Sequence, residues 1–450
     1  MDDLLKAMSE TPAVPEGWDL ALNLSQNAVQ SLLLSNWEGG TGKAKERGLT
    51  WLAPTQVDGQ HDILEVRTDL SSPTVALDDS ASVVTLTYGI DTGVLRIGKV
   101  SAERAAHMPD AQMLLQTNDV SWSNPVDITS QNPLRLAGAM PLVVRPTPDG
   151  QRFAIALDIS ANGLTLTSAD EGGLSSHTVA QPLTQWLSAQ NLTGQIASFA
   201  RANKSATVSR IAPDAVSTRM GRSVAGDPVL QILAGLTPDA PVEGAGRAIP
   251  HPDGYDFSVL VSSKSTMAMI VSGYNQGTGE IKLVSMAPSS GDAHWFAQIH
   301  EPMIFEGTFG TEDGQIFVTD RSEQYLRFGG SPDQGLRLFT FTDPASSVHL
   351  HLEIAAHYPT AISGTGADQR VGLSEGGQSI NGEGFYENIV KPQLENFLTG
   401  QIRSDMTRVQ MTAISDFLLR DMVLTGHRPR FEISALPAEL VIAGHLEPTP

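Results

Sequence analysis

The sequence contains no cysteine, which excludes disulfides, thiol chemistry and cysteine-ligated zinc or iron–sulfur sites. Stability must come from packing and strand pairing, and the chain tolerates any redox compartment. Basic residues are scarce: 29 Lys and Arg stand against 50 Asp and Glu, a formal net charge of −21. That charge repels duplexes and anionic bilayers at long range, so no nucleic-acid partner is expected. Long apolar runs are missing too. Apolar runs such as Leu32–Leu34 and Met267–Val271 fall far short of the ~20 residues that a membrane-spanning helix needs. Met1–Glu10 carries two Asp and a Glu around Lys6 and lacks the basic segment and apolar core of a secretory signal. The expectation is a cytoplasmic protein, or one exported without a classical signal, that touches membranes peripherally at most.

Aromatic residues are few, at 6%, and charged residues make up 18%, whereas Gly (41) and Pro (27) are plentiful. This mixture suits many short strands and turns better than a helical bundle. At 450 residues the chain has room for two or three domains, each with its own core.

One internal echo stands out. Gly17-Trp18-Asp19-Leu20-Ala21-Leu22-Asn23-Leu24-Ser25 resembles Gly254-Tyr255-Asp256-Phe257-Ser258-Val259-Leu260-Val261-Ser262. In each, Gly, an aromatic and Asp open a short apolar strand that ends at Ser, after which the spacing turns helical. Ala28, Val29, Leu32 and Leu33 correspond in kind to Ser265, Thr266, Met269 and Ile270, ahead of Trp37 and Tyr274. A duplicated architecture is expected, with halves 1–235 and 236–450. Pro228, Pro238, Pro241, Gly244 and Gly246 make residues 225–248 read as the linker at the join.

Alternating or β-branched runs predict strands over 63–67, 82–88, 93–100 and 153–157 in the first half. The Asn162-Gly163 pair predicts a tight hairpin between Ala154–Leu157 and Leu164–Leu166. Leu183, Trp186, Leu187, Ile196 and Phe199 predict a helix over 183–199, against Gly194. In the second half, strands are predicted over 281–286, 295–299, 303–308, 315–319, 336–342 and 348–356, with two more at 430–434 and 439–443. Between them lies the strongest helical pattern, over 384–424, where Phe385, Ile389, Val390, Leu394, Phe397, Leu398, Ile402, Met406, Val409, Ala413, Phe417 and Leu418 advance mostly by three or four, with a kink at Pro392.

The expected fold class is α+β, mainly antiparallel β, with long helices cradled by curved sheets. An apolar seam between helix and sheet is also where a greasy ligand could lie. The groove candidates are Val29, Leu32, Leu33, Met269, Ile270, Leu394, Phe397, Leu398, Ile402, Met406, Val409 and Phe417.

Glu16-Gly17-Trp18-Asp19, the apolar strand, Ser25 and the helix bearing Asn27-Ala28-Val29 resemble the start of the toxin-cluster proteins encoded beside clostridial neurotoxins and some insecticidal toxins: the OrfX-type proteins and their companion of about this chain's size. The match is specific over about twenty residues and stylistic elsewhere. It implies the tubular lipid-binding (TULIP) fold, a long helix wrapped by a strongly twisted antiparallel sheet, in two tandem units. It further implies a non-enzymatic role with a lipid or other apolar molecule, a toxin or a sister toxin-cluster protein as partner. No catalytic residue and no cofactor comes with the resemblance.

Other constellations have plain readings. Gly39-Gly40-Thr41-Gly42-Lys43 departs from a phosphate-binding loop at Trp37 and Ala44 and reads as a solvated turn; Lys43, Lys45 and Arg47 form a small basic patch or an ordinary loop. His349, His351 and Glu353 alternate along one face of a predicted strand, with His357 beyond; a metal site or a strand with one wet face both fit, and the wet face is the plainer account. Asp292, His294, His300 and Glu301 lack a marked nucleophile to serve. Glu312-Asp313-Gly314 reads as a turn. Trp18 reads as a core anchor, while Trp37 and Trp51 suit a core or an exposed cluster. Three functions stay open: apolar-ligand binding without catalysis, a protein–protein scaffold or chaperone of a secreted toxin complex with filled grooves, and a hydrolase with dispersed carboxylates.

Overall fold

The computed structural model describes residues 18–44, 49–57, 60–68, 71–78, 83–90, 92–108, 113–114, 116–122, 124–130, 134–158, 165–168, 194–200, 213–236, 251–266, 268–270, 283–288, 295–299, 304–309, 312–317, 324–328, 336–342, 350–374, 376, 378–384, 411–436 and 439–449. Its organising element is a ten-stranded antiparallel sheet. We number its strands along the chain: β1 (Leu20–Ser25), β2 (Leu142–Pro146), β3 (Arg152–Leu157), β4 (Gly194–Ala200), β5 (Ala215–Arg222), β6 (Pro228–Gly235), β7 (Phe257–Val261), β8 (Met422–Leu424), β9 (His427–Ala435) and β10 (Leu440–Pro448). Their order across the sheet is β2-β3-β4-β8-β9-β10-β7-β1-β6-β5. The edge strands β2 and β5 come close to one another, so the sheet is nearly closed. Closing a sheet in this way protects edges that would otherwise template aggregation.

The middle of the sheet is buried on both faces. β1, β6, β7 and the first half of β10 read as continuous apolar runs, Leu20-Ala21-Leu22, Val229-Leu230, Val259-Leu260-Val261 and Leu440-Val441-Ile442-Ala443, all at 0–1% exposure. Such runs, in place of alternation, are what a doubly covered strand requires.

The two echoing motifs meet here as neighbours. β1 pairs antiparallel with β7, Leu20 opposite Val261, Leu22 opposite Val259 and Leu24 opposite Phe257. Their hydrogen bonds match pairwise. Asp19 N donates to Ala234 O at 3.1 Å, and Asp256 N to Gly444 O at 3.0 Å. Ser25 N donates to Asp256 O, and Ser262 N to Asp19 O, both at 2.9 Å. Ser25 Oγ accepts from Ala28 N at 3.2 Å and Ser262 Oγ from Ser265 N at 3.3 Å, so each Ser caps the helix that follows. The sheet thus draws on both sides of residue 235: β8, β9, β10 and β7 sit between β4 and β1.

The first of those helices, α1 (Gln26–Ala44), buries Ala28, Val29, Leu32 and Leu33, a stripe at helical spacing. It packs on β1, β4, β6 and the strand Thr74–Asp78. That strand is the edge of a four-stranded sheet, Thr165–Ser168, Leu134–Met140, Val83–Ile90, Thr74–Asp78. Gln26 and Gln30, one turn apart on α1, finish its open edge: Gln30 Oε1 accepts from Val75 N at 2.7 Å, Gln26 Oε1 from Leu77 N at 3.1 Å, and Gln30 Nε2 donates to Pro73 O at 2.7 Å.

A sheet built on Leu49–Val57, Gln60–Thr68 and Gly93–Ser101 covers a small core of Ile63, Val100, Ala105 and Leu114. In the second half a six-stranded sheet runs Leu283–Pro288, Trp295–Ile299, Gln324–Phe328, Leu336–Thr342, Leu350–Tyr358, Gln378–Gly384, and Ile304–Phe309 forms a separate hairpin with Glu312–Phe317.

Several expectations are corrected. Residues 228–235 are not linker but the buried strand β6, paired with β1 and β5; Pro228 occupies its first position, where the missing N–H costs least, and Val229–Ala234 supply the buried run. The hairpin expected over 153–167 does not form: Arg152–Leu157 is β3, between β2 and β4, whereas Thr165–Ser168 pairs with Leu134–Met140 in another sheet, and 159–164 lie outside the described residues. A turn signal is local, and long-range partners for both arms override it. Gly194–Ala200 is strand rather than helix; Ile196, Ala197 and Phe199 are fully buried between β3 and β8. The long helix of 384–424 appears as Thr412–Asp416, which widens into a π turn at Phe417–Asp421 and stops at β8; residue 384 itself ends a strand, and 385–410 lie outside the described residues. Gly39–Lys43 is the last part of α1 rather than a turn, and Glu312–Gly314 is strand.

Candidate functional site

α1 packs on β1, β4 and β6, and the Phe417–Asp421 turn on β8 and β9, an apolar seam of helical segments on the ten-stranded sheet. Val29, Leu32, Leu33, Ile270 and Phe417 are all buried, and Met269 is half-buried. α1 packs on β4, and Phe199 of the same strand stacks on Phe417, with centroids 5.7 Å apart and planes at 11°. The structure therefore brings the α1 stripe and Phe417 to one strand. Leu394, Phe397, Leu398, Ile402, Met406 and Val409 lie outside the described residues, as do Lys45, Arg47, Asp292, His294, His300, Glu301 and His349. His351, Glu353 and His357 lie on Leu350–Tyr358, opposite Glu383, Asn381 and Arg337 respectively. Among the described residues no group of three or more His, Asp or Glu is placed to hold a metal ion. Trp18 is in the core, at 3% exposure.

Arg152 locks this seam from the sheet side. Its Nη2 donates to Asp421 O at 2.6 Å and Ser198 O at 3.2 Å, and Nε to Ser198 Oγ at 3.1 Å. A cation at the last carbonyls of the helical segment completes groups that a helix end leaves open.

A second feature escaped the sequence reading. Four neighbouring strands each contribute a polar residue at one level of the sheet, and register lines them up: Arg219 on β5 faces Gln231 on β6, Gln231 faces Asn23 on β1, and Asn23 faces Ser258 on β7. Arg219 Nε donates to Gln231 Oε1. Gln231 Nε2 donates to Asn23 Oδ1 at 2.7 Å, and Asn23 Nδ2 to Ser258 Oγ at 3.0 Å. Ser258 Oγ lies 2.9 Å from Nδ1 of His251, whose Nε2 lies 2.9 Å from Tyr255 O. Asn23, Gln231, Ser258 and His251 are at 0–2% exposure. Burial pulls the His251 imidazole below its ordinary value, against the opposing pull of the Tyr255 carbonyl, Asp253 and Asp256. The available signal was a lone polar residue inside each apolar run, Leu22-Asn23-Leu24, Leu230-Gln231-Ile232 and Phe257-Ser258-Val259. The buried core thus holds both an apolar helix-on-sheet seam and a hydrogen-bonded polar row.

Comparison with solved structures places this arrangement. The chain shares the fold of P47 of Clostridium botulinum. P47 of strain E1 superposes with a TM-score of 0.61 over 96% of this chain and 99% of its own, at 10% sequence identity. P47 of strain A2 gives 0.58 over 95% and 97%, again at 10% identity. A lipopolysaccharide binding protein aligns over 96% of this chain and 100% of its own at a TM-score of only 0.39 and 7% identity, too low to argue from. No protein-family model and no curated protein sequence matches the chain. Among the described residues no helix is long and apolar enough to cross a membrane.

Proposed function

We propose that this chain is a non-enzymatic accessory protein that binds a lipid or another apolar ligand, built as two tubular lipid-binding units, 1–235 and 236–450, and acting beside a toxin or a sister toxin-cluster protein. The observation that carries this reading is the end-to-end likeness to P47, which covers 96% of one chain and 99% of the other. The buried stripe of α1, which packs on β4, and Phe417, stacked on Phe199 of that strand, support it as the wall of an apolar seam. The matching hydrogen bonds of the two Asp–strand–Ser motifs support a tandem origin for the units.

One observation favours a second reading, a protein–protein scaffold with filled grooves. Leu32, Phe199 and Phe417, at 0–1% exposure, fill the described part of the seam with side chains. Native mass spectrometry of the purified chain, followed by denaturation and lipid extraction, separates the two. Phospholipid or fatty acid released on unfolding supports the ligand-binding reading. A clean apo mass, with no uptake of added lipid, sinks it in favour of the scaffold.

A further inference from the structure

We propose that the buried row Arg219–Gln231–Asn23–Ser258–His251 is an acid-sensitive clasp across the neighbouring strands β5, β6, β1 and β7, closed while His251 is neutral and loosened when it takes a second proton. The hydrogen bonds leave one arrangement for the neutral state. Tyr255 O only accepts, so Nε2 of His251 carries the hydrogen toward it. Nδ1 is then an acceptor and takes the hydroxyl hydrogen of Ser258. Ser258 Oγ accepts from Asn23, Asn23 Oδ1 from Gln231, and Gln231 Oε1 from the guanidinium of Arg219. Arg219, a donor only, sets the sense of the row at one end, and the Tyr255 carbonyl sets it at the other.

Protonating His251 breaks that order. Nδ1 becomes a donor aimed at Ser258 Oγ, which already accepts from Asn23, and the Ser258 hydrogen loses its acceptor at a position with 0% exposure. A donor stranded there costs its full desolvation, and the imidazolium is itself a charge buried in an apolar sheet. The break falls where β1 and β7 join, one of the two strand pairings in this sheet, with β4–β8, through which residues on either side of 235 meet.

The charged and titratable groups around His251 are few. Asp253 and Asp256 favour the cation; Asp256 is shared with His445 and Leu446 N. His445 lies against the Tyr255 ring, Arg222 meets His251 through its carbonyl, which accepts from His251 N, and Arg219 stands at the far end of the row. Burial outweighs the carboxylates, so the folded chain binds this proton less readily than the unfolded one. The sign follows: stability is full above the unfolded imidazole value of about 6.5 and falls as pH drops below it, by up to about tenfold in the folding equilibrium per pH unit.

Amide hydrogen exchange of the full chain at pH 7.5 and pH 5.5, corrected for intrinsic exchange, tests the clasp. In the wild type, peptides covering β1 and β7 should lose protection several-fold at the lower pH, while those covering Val83–Ile90 and Leu134–Met140 hold theirs. His251→Gln, whose amide can donate to Tyr255 and accept from Ser258 at either pH, should remove the difference. If that variant does not fold, Ser258→Ala is the second probe: it has no hydroxyl to strand, so it should show a smaller pH difference than the wild type. Acid-insensitive β1 and β7 in the wild type, or an undiminished pH difference in the folded variant, would overturn the proposal.

Discussion

Phe199 of β4 and Phe417 at the head of the π turn stack nearly parallel, 5.7 Å between centroids, and this contact seats the helical segment of the second half on a strand of the first. Both rings are almost fully buried, at 0% and 1% exposure. Replacing Phe417 with Ala should therefore cost about 3–5 kcal/mol, the transfer loss plus the cavity left behind. Phe417→Leu should recover much of it. Urea unfolding followed by circular dichroism measures both, and equal midpoints for wild type and Phe417→Ala would refute the packing role.

Asp19 and Asp256 occupy matching positions and should fail in matching ways. Asp19 accepts from Leu236 N at 2.8 Å and Ser265 Oγ at 2.7 Å; Asp256 accepts from Leu446 N at 3.0 Å and lies 3.2 Å from His445 Nδ1. Alanine at either site strands a backbone donor, at about 1–3 kcal/mol each. Asp→Asn should cost less, since its carbonyl oxygen still accepts. Thermal melts of the four single variants check this; a harmless Asp19→Ala beside a damaging Asp256→Ala would contradict the equivalence.

Gly444 pairs with Phe257 on one side and Phe431 on the other, and those rings meet edge to face with centroids 6.4 Å apart. A Cβ at this glycine would sit 1.9 Å from Arg430 O. Backbone at a bulge, where the β9 register shifts between Phe431 and Ile433, yields poorly. Gly444→Ala should destabilise by about 1–3 kcal/mol, the usual cost of overpacking, read as a lowered denaturation midpoint.

Gln26 and Gln30 act on a strand edge. Removing Gln30 leaves Val75 N without the acceptor it has at 2.7 Å. Gln30→Ala should lower stability by about 1 kcal/mol and raise amide exchange at Thr74–Asp78 before elsewhere. A double-mutant cycle with Gln26→Ala should show less than additive loss, because both release the same strand.

The strands were legible wherever one stretch of chain carries the signal. Val83–Ile90 alternates buried with half-buried residues along its length, as its Val, Leu and Tyr spacing implies, and Ser25 and Ser262 cap helices at the positions their motifs mark. The buried face of α1 was legible for the same reason, since Val29, Leu32 and Leu33 share one helical face. Illegible were the features that depend on a distant partner. Ile196 and Phe199 have a spacing that suits a helix, yet β3 and β8 claim them as strand. The polar row was hidden because Asn23, Gln231 and Ser258 mean nothing separately.

By itself, then, the sequence determined which stretches could be buried strands, where two helices begin, and that neither thiol chemistry nor a long apolar span is available, all of them consequences of residue type and local period. Only the tertiary structure decided which strands pair, that β6 is a buried strand of the large sheet rather than a linker, and that Asn23 meets Ser258. Pairing and register are chosen by burial summed over the whole sheet, and a shift of one residue would turn every side chain of β1 to the opposite face.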